Sequence, residues 1–169
     1  MECSNLQKIK NLKLRVISSG CDCNCYRAST DISVKDMLPG DVCPFLLYLM
    51  IPYYETLHAG GSFPWMRDLD AVIVQCPSSV GVVAIEVRRR WIKDKVEVYG
   101  VINAVKGKCL WGYQNGKQIE LEPLRSQNLC LQAYRLLFPH LQALSLINNY
   151  RPPVQIQCYV GGGTVFEIK

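Results

Sequence analysis

Apolar and polar positions alternate in some stretches of this chain and recur every three or four residues in others, in the same order in both halves. In the second half, residues 95–101 alternate, with Val96, Val98 and Val101 facing inward, which predicts a half-buried strand. Gly112 and Asn115-Gly116 supply the positive φ values of tight turns, so residues 109–113 and 117–121 are read as a hairpin. Between residues 130 and 146, Ala133, Leu136, Leu137, Leu141 and Leu144 recur at helical spacing, predicting an amphipathic helix with a kink or break at Pro139. Residues 154–158 and 164–168 read as two closing strands joined by Gly161-Gly162-Gly163. The first half follows the same plan: strands at 12–17 and 32–34, a helix over 44–58, and strands at 71–75 and 80–88.

The likeness extends to the residues themselves. At an offset of 87, Tyr26 meets Tyr113, Ile32 meets Ile119, Cys43 meets Cys130, Pro52 meets Pro139 and Leu57 meets Leu144. At an offset of 82, Val72, Val74, Gln75 and Cys76 meet Val154, Ile156, Gln157 and Cys158, and residues 83–87 then meet 164–168. A duplication accounts for this, and two copies are too few for a solenoid, so a pseudo-two-fold pair is expected. The expected organisation is a tail over 1–11, repeat 1 over 12–88, a linker over 89–94 and repeat 2 over 95–169. The expected fold is α+β: two pseudo-symmetric ββαββ repeats packed together, each with a helix on an antiparallel sheet. Units below about 80 residues bury too little surface to be comfortable alone, hence the expected contact.

Composition narrows the class. Apolar residues make up 49% and charged residues 20% of 169, an ordinary globular balance. The longest apolar run, 42–54, holds Pro44 and Pro52 and falls short of the roughly 20 residues that cross a bilayer, so no membrane association is expected. No secretory leader is read at the amino terminus, and a cytoplasmic location is expected. The net charge of +5 gathers in Lys8, Lys10, Lys13 and Arg15 and in Arg88, Arg89, Arg90, Lys93 and Lys95. No aromatic-and-basic signature accompanies these residues, so they are read as solvated strand ends and linker, and nucleic acid is not an expected partner. The nine cysteines are an odd number in a chain without a secretory signal, which disfavours a disulfide scaffold and leaves packed, metal-binding or reactive thiols.

Residues 40–88 carry Gly40-Asp41, Cys43-Pro44, Gly60-Gly61-Ser62-Phe63-Pro64-Trp65, Asp68, Asp70 and Cys76-Pro77, and the second half adds Cys109-Leu110-Trp111-Gly112-Tyr113. In these motifs the chain resembles a tandem duplication of a small prokaryotic family, about half this length, that has no established activity. The resemblance implies architecture rather than chemistry. Copy two departs from it, with Asn148-Asn149-Tyr150-Arg151-Pro152 in place of Gly-Gly-x-Phe-Pro-Trp. Copy one departs in having Cys21-Asp22-Cys23-Asn24-Cys25-Tyr26 where Cys-x-x-Gly-Tyr is expected, and a single active site is expected in copy one.

The matched thiols are the leading chemical candidates. Cys43 and Cys130 directly precede the helices, where unpaired N–H groups and the helix dipole favour a thiolate; the alternative is a small hydrophobe at the helix–sheet junction. Cys76 and Cys158 end a strand and read first as core. Three thiols in the polar turn Cys21, Cys23 and Cys25 are compatible with zinc or an iron–sulfur cluster, although the recognised ligand spacings are missing. Phe63 and Trp65 are read either as the wall of a ligand pocket or as a cap on the core, with Asp68 and Asp70 either an acidic patch for an amine or metal or plain turn residues. The expected function is a small binding or accessory protein with a metal, cluster or small-ligand site built from Cys21, Cys23, Cys25, Cys43 and Cys76. The alternatives are a thiol enzyme using Cys43 beside a Phe63/Trp65 pocket, and a structural module that binds a protein partner.

Overall fold

The computed structural model describes residues 9, 11–19, 27–37, 42–76, 78, 81–109, 111–121, 130–147, 149–153, 155–158 and 163–168. In chain order these form β1 (Lys13–Ser19), β2 (Asp31–Ser33), a four-residue α1 (Val34–Met37), α2 (Pro44–His58), β3 (Ala71–Gln75), β4 (Gly81–Ile92), β5 (Lys95–Gly107), β6 (Gln118–Glu120), α3 (Leu131–Leu146), β7 (Ile156–Cys158) and β8 (Thr164–Ile168). The fold is α+β, as expected, with two four-stranded antiparallel sheets ordered β2-β1-β8-β7 and β3-β4-β5-β6. Among the described residues, no helix is long and apolar enough to cross a membrane.

The chain divides into two compact units that cut across the boundaries 12–88 and 95–169. One combines Met1–Cys3 with Asp41–Pro123, and the other combines Ser4–Gly40 with Leu124–Lys169. The first unit therefore holds α2 and β3 to β6. In the second, β1 and β2 from early in the chain complete a sheet with β7 and β8 from its end.

In the first unit, α2 lies against β3, β4 and β5. Its sequence is apolar nearly all round, and Phe45, Leu46, Leu47, Met50, Ile51, Tyr54 and Leu57 are buried. Alternate residues of the strands (Val72, Val74, Val83, Ile85, Val87, Val98 and Ile102) are buried with them. Val101 differs from its expected inward position, since it pairs with Glu86 and Gln118 one residue out of step with buried Gly100 and Ile102.

Residues 89–94, read as a linker, are the end of β4 and the turn into β5. Ile92 pairs with Lys95 across a two-residue turn, and Lys93 takes φ 55° there. That backbone ordinarily announces itself as Asn-Gly or Asp-Gly; Lys-Asp carries no such signal. The hairpin expected between 109–113 and 117–121 is replaced by pairing of β6 with β5, Gly100 opposite Ile119. Instead the Gly112 N–H closes a turn on the Cys109 carbonyl at 3.1 Å, and Tyr113 beyond it is buried.

In the second unit, Leu14 and Val16 of β1, Ile156 and Cys158 of β7 and Phe166 of β8 are buried, as are Tyr134, Leu137, Phe138 and Leu141 of α3. That helix, which lies against β7, runs unbroken through Pro139, as α2 does through Pro52. A proline removes one helical hydrogen bond, and the flanking buried residues hold both helices across the gap. Between β1 and β8 the register slips between Val16 and Ser18, leaving Ile17 as a bulge.

Candidate functional site

The Gly-Gly-x-Phe-Pro-Trp segment begins where α2 is stopped. The N–H of Gly60 reaches the carbonyl of Leu57 at 3.1 Å and that of Gly61 reaches Thr56 at 2.9 Å, the paired closure that satisfies the last helical carbonyls. Gly60 adopts φ +83°, so a side chain there is strained. Gly61 is constrained by space, since a Cβ would lie 2.9 Å from Thr56 Cγ2 and 3.1 Å from the Thr56 carbonyl oxygen.

Beyond this stop the chain carries Phe63 inward and leaves Trp65 outside. Phe63 is buried, with its ring 5.4 Å from Tyr53 and 5.3 Å from Trp65, whereas Trp65 is 73% exposed. A large indole in water is costly unless something covers it. The loop that presents it is fastened at both ends. Asp68 Oδ1 accepts the Asp70 N–H at 2.9 Å, and its second oxygen accepts from Arg88, which also donates to Glu86 at 3.1 Å. Arg89 donates through Nε to Asp70 at 2.6 Å and through its terminal nitrogen to the Gly61 carbonyl at 2.6 Å. Its side chain is 9% exposed, and its guanidinium lies 5.9 Å from the Trp91 ring.

Adjacent arginines on opposite faces of β4 thus hold the loop on two sides. Burial pulls the Arg88 pKa down, but Glu86 and Asp68 outweigh it and hold the guanidinium above its ordinary value. Asp68 and Asp70, weighed as an acidic patch, are engaged by these arginines. The basic cluster read as solvated strand ends and linker supplies the arginine clamp, and Arg90 pairs with Glu97 at 2.7 Å. Sequence reasoning missed the clamp, which the β3–β4 register creates by bringing Ala71 opposite Arg88 and so Asp70 alongside Arg89.

Cys43 and Cys130 occupy the N-cap positions of α2 and α3, in extended backbone (φ −61°, ψ 127° and φ −85°, ψ 116°) and without a side-chain cap bond. Their carbonyls accept the first helical N–H groups, from Leu47 and Tyr134, each at 2.9 Å. Cys43 is 4% exposed, and its N–H donates to the Tyr113 hydroxyl at 2.8 Å, a contact across 70 residues that no local pattern revealed. Cys76 and Cys158 are buried, as the core reading expected, and Cys109 and Cys130 are half-buried. Cys76 and Cys109 leave β3 and β5 at the same end of the sheet, where Gly81 pairs with Gly107. Cys21, Cys23 and Cys25 lie outside the described residues, and among those described no three His, Cys, Asp or Glu side chains are grouped to hold a metal ion.

The histidines take different surroundings. The His58 ring lies 5.6 Å from that of Tyr54 in a tilted pair, and His140 Nδ1 shares a hydrogen bond with the Tyr150 hydroxyl at 2.5 Å. Glu86 is half-buried beside Arg88, and Glu167 lies opposite Arg15, whose guanidinium is bound to Asp31. No family model, curated protein or solved structure matches this chain.

Proposed function

We propose that this protein is a small binding or accessory protein of the cytoplasm, built from two ββαββ repeats, and that it recognises its ligand through the Phe63/Trp65 loop of the first compact unit. The observation that carries the binding reading is Trp65, left 73% exposed on a loop that Arg88 and Arg89 fix from both sides. Ordering a loop in advance removes an entropic cost that a ligand would otherwise bear. Nothing in the fold's own stability requires an indole to be held in solvent. The test is a thermal-shift screen of metabolites and short peptides against the wild-type chain and Trp65→Ala. Compounds that stabilise the wild type should lose that effect in Trp65→Ala and keep it in Ile73→Ala, which removes another exposed large apolar residue, on β3. Hits that act alike on all three chains overturn the assignment.

The repeat reading is supported by strand registers that coincide. On β1 and β8, Leu14, Val16, Ser18 and Ser19 oppose Ile168, Phe166, Val165 and Thr164. On β5 and β4, Gly100, Ile102, Ala104 and Val105 oppose Val87, Ile85, Ala84 and Val83. Both ladders skip one residue at the corresponding place, Ile17 and Asn103, and continue into matching pairs, Ile156 with Phe166 and Val74 with Ile85. A duplicated sequence whose copies exchange strands gives this pattern, including the shared bulge.

A second reading uses the thiols for zinc or an iron–sulfur cluster. It draws on the five cysteines among the described residues and on the common end from which Cys76 and Cys109 leave the sheet. Metal analysis of anaerobically purified protein tests it, and zinc and iron at trace levels reject it.

A further inference from the structure

We infer that the two halves of this chain, divided at the Lys93–Asp94 turn, are specific binding partners that stay joined when the peptide bond between them is cut. The inference concerns the seams between the halves, and it takes from the repeat reading only the idea that the two seams are equivalent.

Everything before the turn contributes β1, β2, α1, α2, β3 and β4, and everything after it contributes β5, β6, α3, β7 and β8. Each sheet contains strands of both halves: β3 and β4 meet β5 and β6 in one, and β2 and β1 meet β8 and β7 in the other. In the folded chain neither sheet is completed by the strands of one half alone. Two seams join them. The β4–β5 seam runs from Gly81↔Gly107 to Ile92↔Lys95, and Ile85 and Val87 on one side and Val98 and Ile102 on the other are buried along it. The β1–β8 seam runs from Leu14↔Ile168 to Ser19↔Thr164, with Leu14, Val16, Phe166 and Thr164 buried.

Among the described residues the halves are linked covalently by the turn itself, where Lys93 and Asp94 are exposed. Backbone ladders and buried side chains of this extent hold a complex without a tether. The binding surface each half offers is therefore an open sheet edge, and the partner it fits is a second ββαββ unit with the same register and the same bulge.

The experiment places a protease recognition sequence between Lys93 and Asp94 of the full chain, where an exposed turn tolerates insertion. The folded protein is cleaved to completion and examined by size exclusion and native mass spectrometry. Cutting lowers the local concentration of one half about the other from the millimolar range to that of the sample, about a 10³-fold drop at micromolar protein. The expected result is one species of the uncut mass at micromolar concentration that runs as two bands on a denaturing gel, with amide protection retained in β1, β4, β5 and β8. Halves that separate or precipitate, from an uncut insertion variant that itself keeps that protection, overturn the inference and leave the repeat reading standing. Loss of protection in β1 and β8 alone, with β4 and β5 intact, overturns the equivalence of the seams and counts against the repeat reading itself.

Discussion

Tyr113→Phe removes a single oxygen atom and keeps the ring. Tyr113 is 5% exposed and Cys43 4%, so the Cys43 N–H, 2.8 Å from the Tyr113 hydroxyl, loses its acceptor where water does not reach. A buried donor left without its partner costs about 1–3 kcal/mol, more than the net worth of an average hydrogen bond. The rest of the junction is untouched, because the Cys43 carbonyl still accepts from Leu47. For a unit of this size each kcal/mol moves the melting midpoint by about 4–8 °C, so a fall of at least about 4 °C is expected. Urea unfolding followed by far-ultraviolet circular dichroism should give a lower midpoint at unchanged slope, and hydrogen exchange should show faster loss of the Cys43 amide proton. Tyr99→Phe, on the half-exposed face of β5, is the control with little expected effect. A Tyr113→Phe chain with the wild-type midpoint and a fully protected Cys43 amide refutes the contact as the element that ties α2 to the segment after β5.

Three further outcomes follow from the same reasoning. Gly61→Ala forces a Cβ to 2.9 Å from Thr56 Cγ2 and should cost about 1–3 kcal/mol in urea titrations, whereas Gly60→Ala should cost about 1–2 kcal/mol through its positive φ alone. Arg89→Met should destabilise by about 1.5–3 kcal/mol and increase amide exchange over residues 61–70, while Arg88→Met, whose ion-pair partners are partly exposed, should change stability by about 1 kcal/mol or less. Peptide-mapped alkylation of the native protein should label Cys109 and Cys130 well before Cys43, Cys76 and Cys158; Cys43 reacting as fast as Cys109 would contradict its burial and favour the thiol-enzyme alternative.

The helices, most strands and the helix stop were legible because each is encoded by neighbours in sequence. Pro44 opens α2, Gly60 closes it, and β3 and β8 coincide with the stretches 71–75 and 164–168 read as strands. The β4–β5 hairpin was not legible, because its turn uses Lys93 in a backbone conformation where glycine or asparagine is the usual marker. Nor was the partner of each strand, since register along a strand says nothing about which copy lies alongside. At the candidate site, Phe63 and Trp65 stood out by composition. Their opposite fates, one ring buried and the other in solvent, depend on Tyr53 and Arg89, which approach from other elements. The pairing of Asp68 and Asp70 with arginines depends on a cross-strand register that no single motif states.

The seam between β1 and β8 has a consequence for synthesis of the chain. Ser19 and Thr164, joined at 3.4 Å, are 145 residues apart, so at about 5–20 residues per second the first strand leaves the ribosome roughly 7–30 s before its neighbour exists. The contiguous sheet of β3 to β6 can close in that interval, while β1 keeps an unsatisfied edge that other nascent chains could occupy. Crowded translation should therefore injure this protein through its earliest strand, and a chaperone that shields that strand should raise the yield of folded molecules more than one acting on the completed chain.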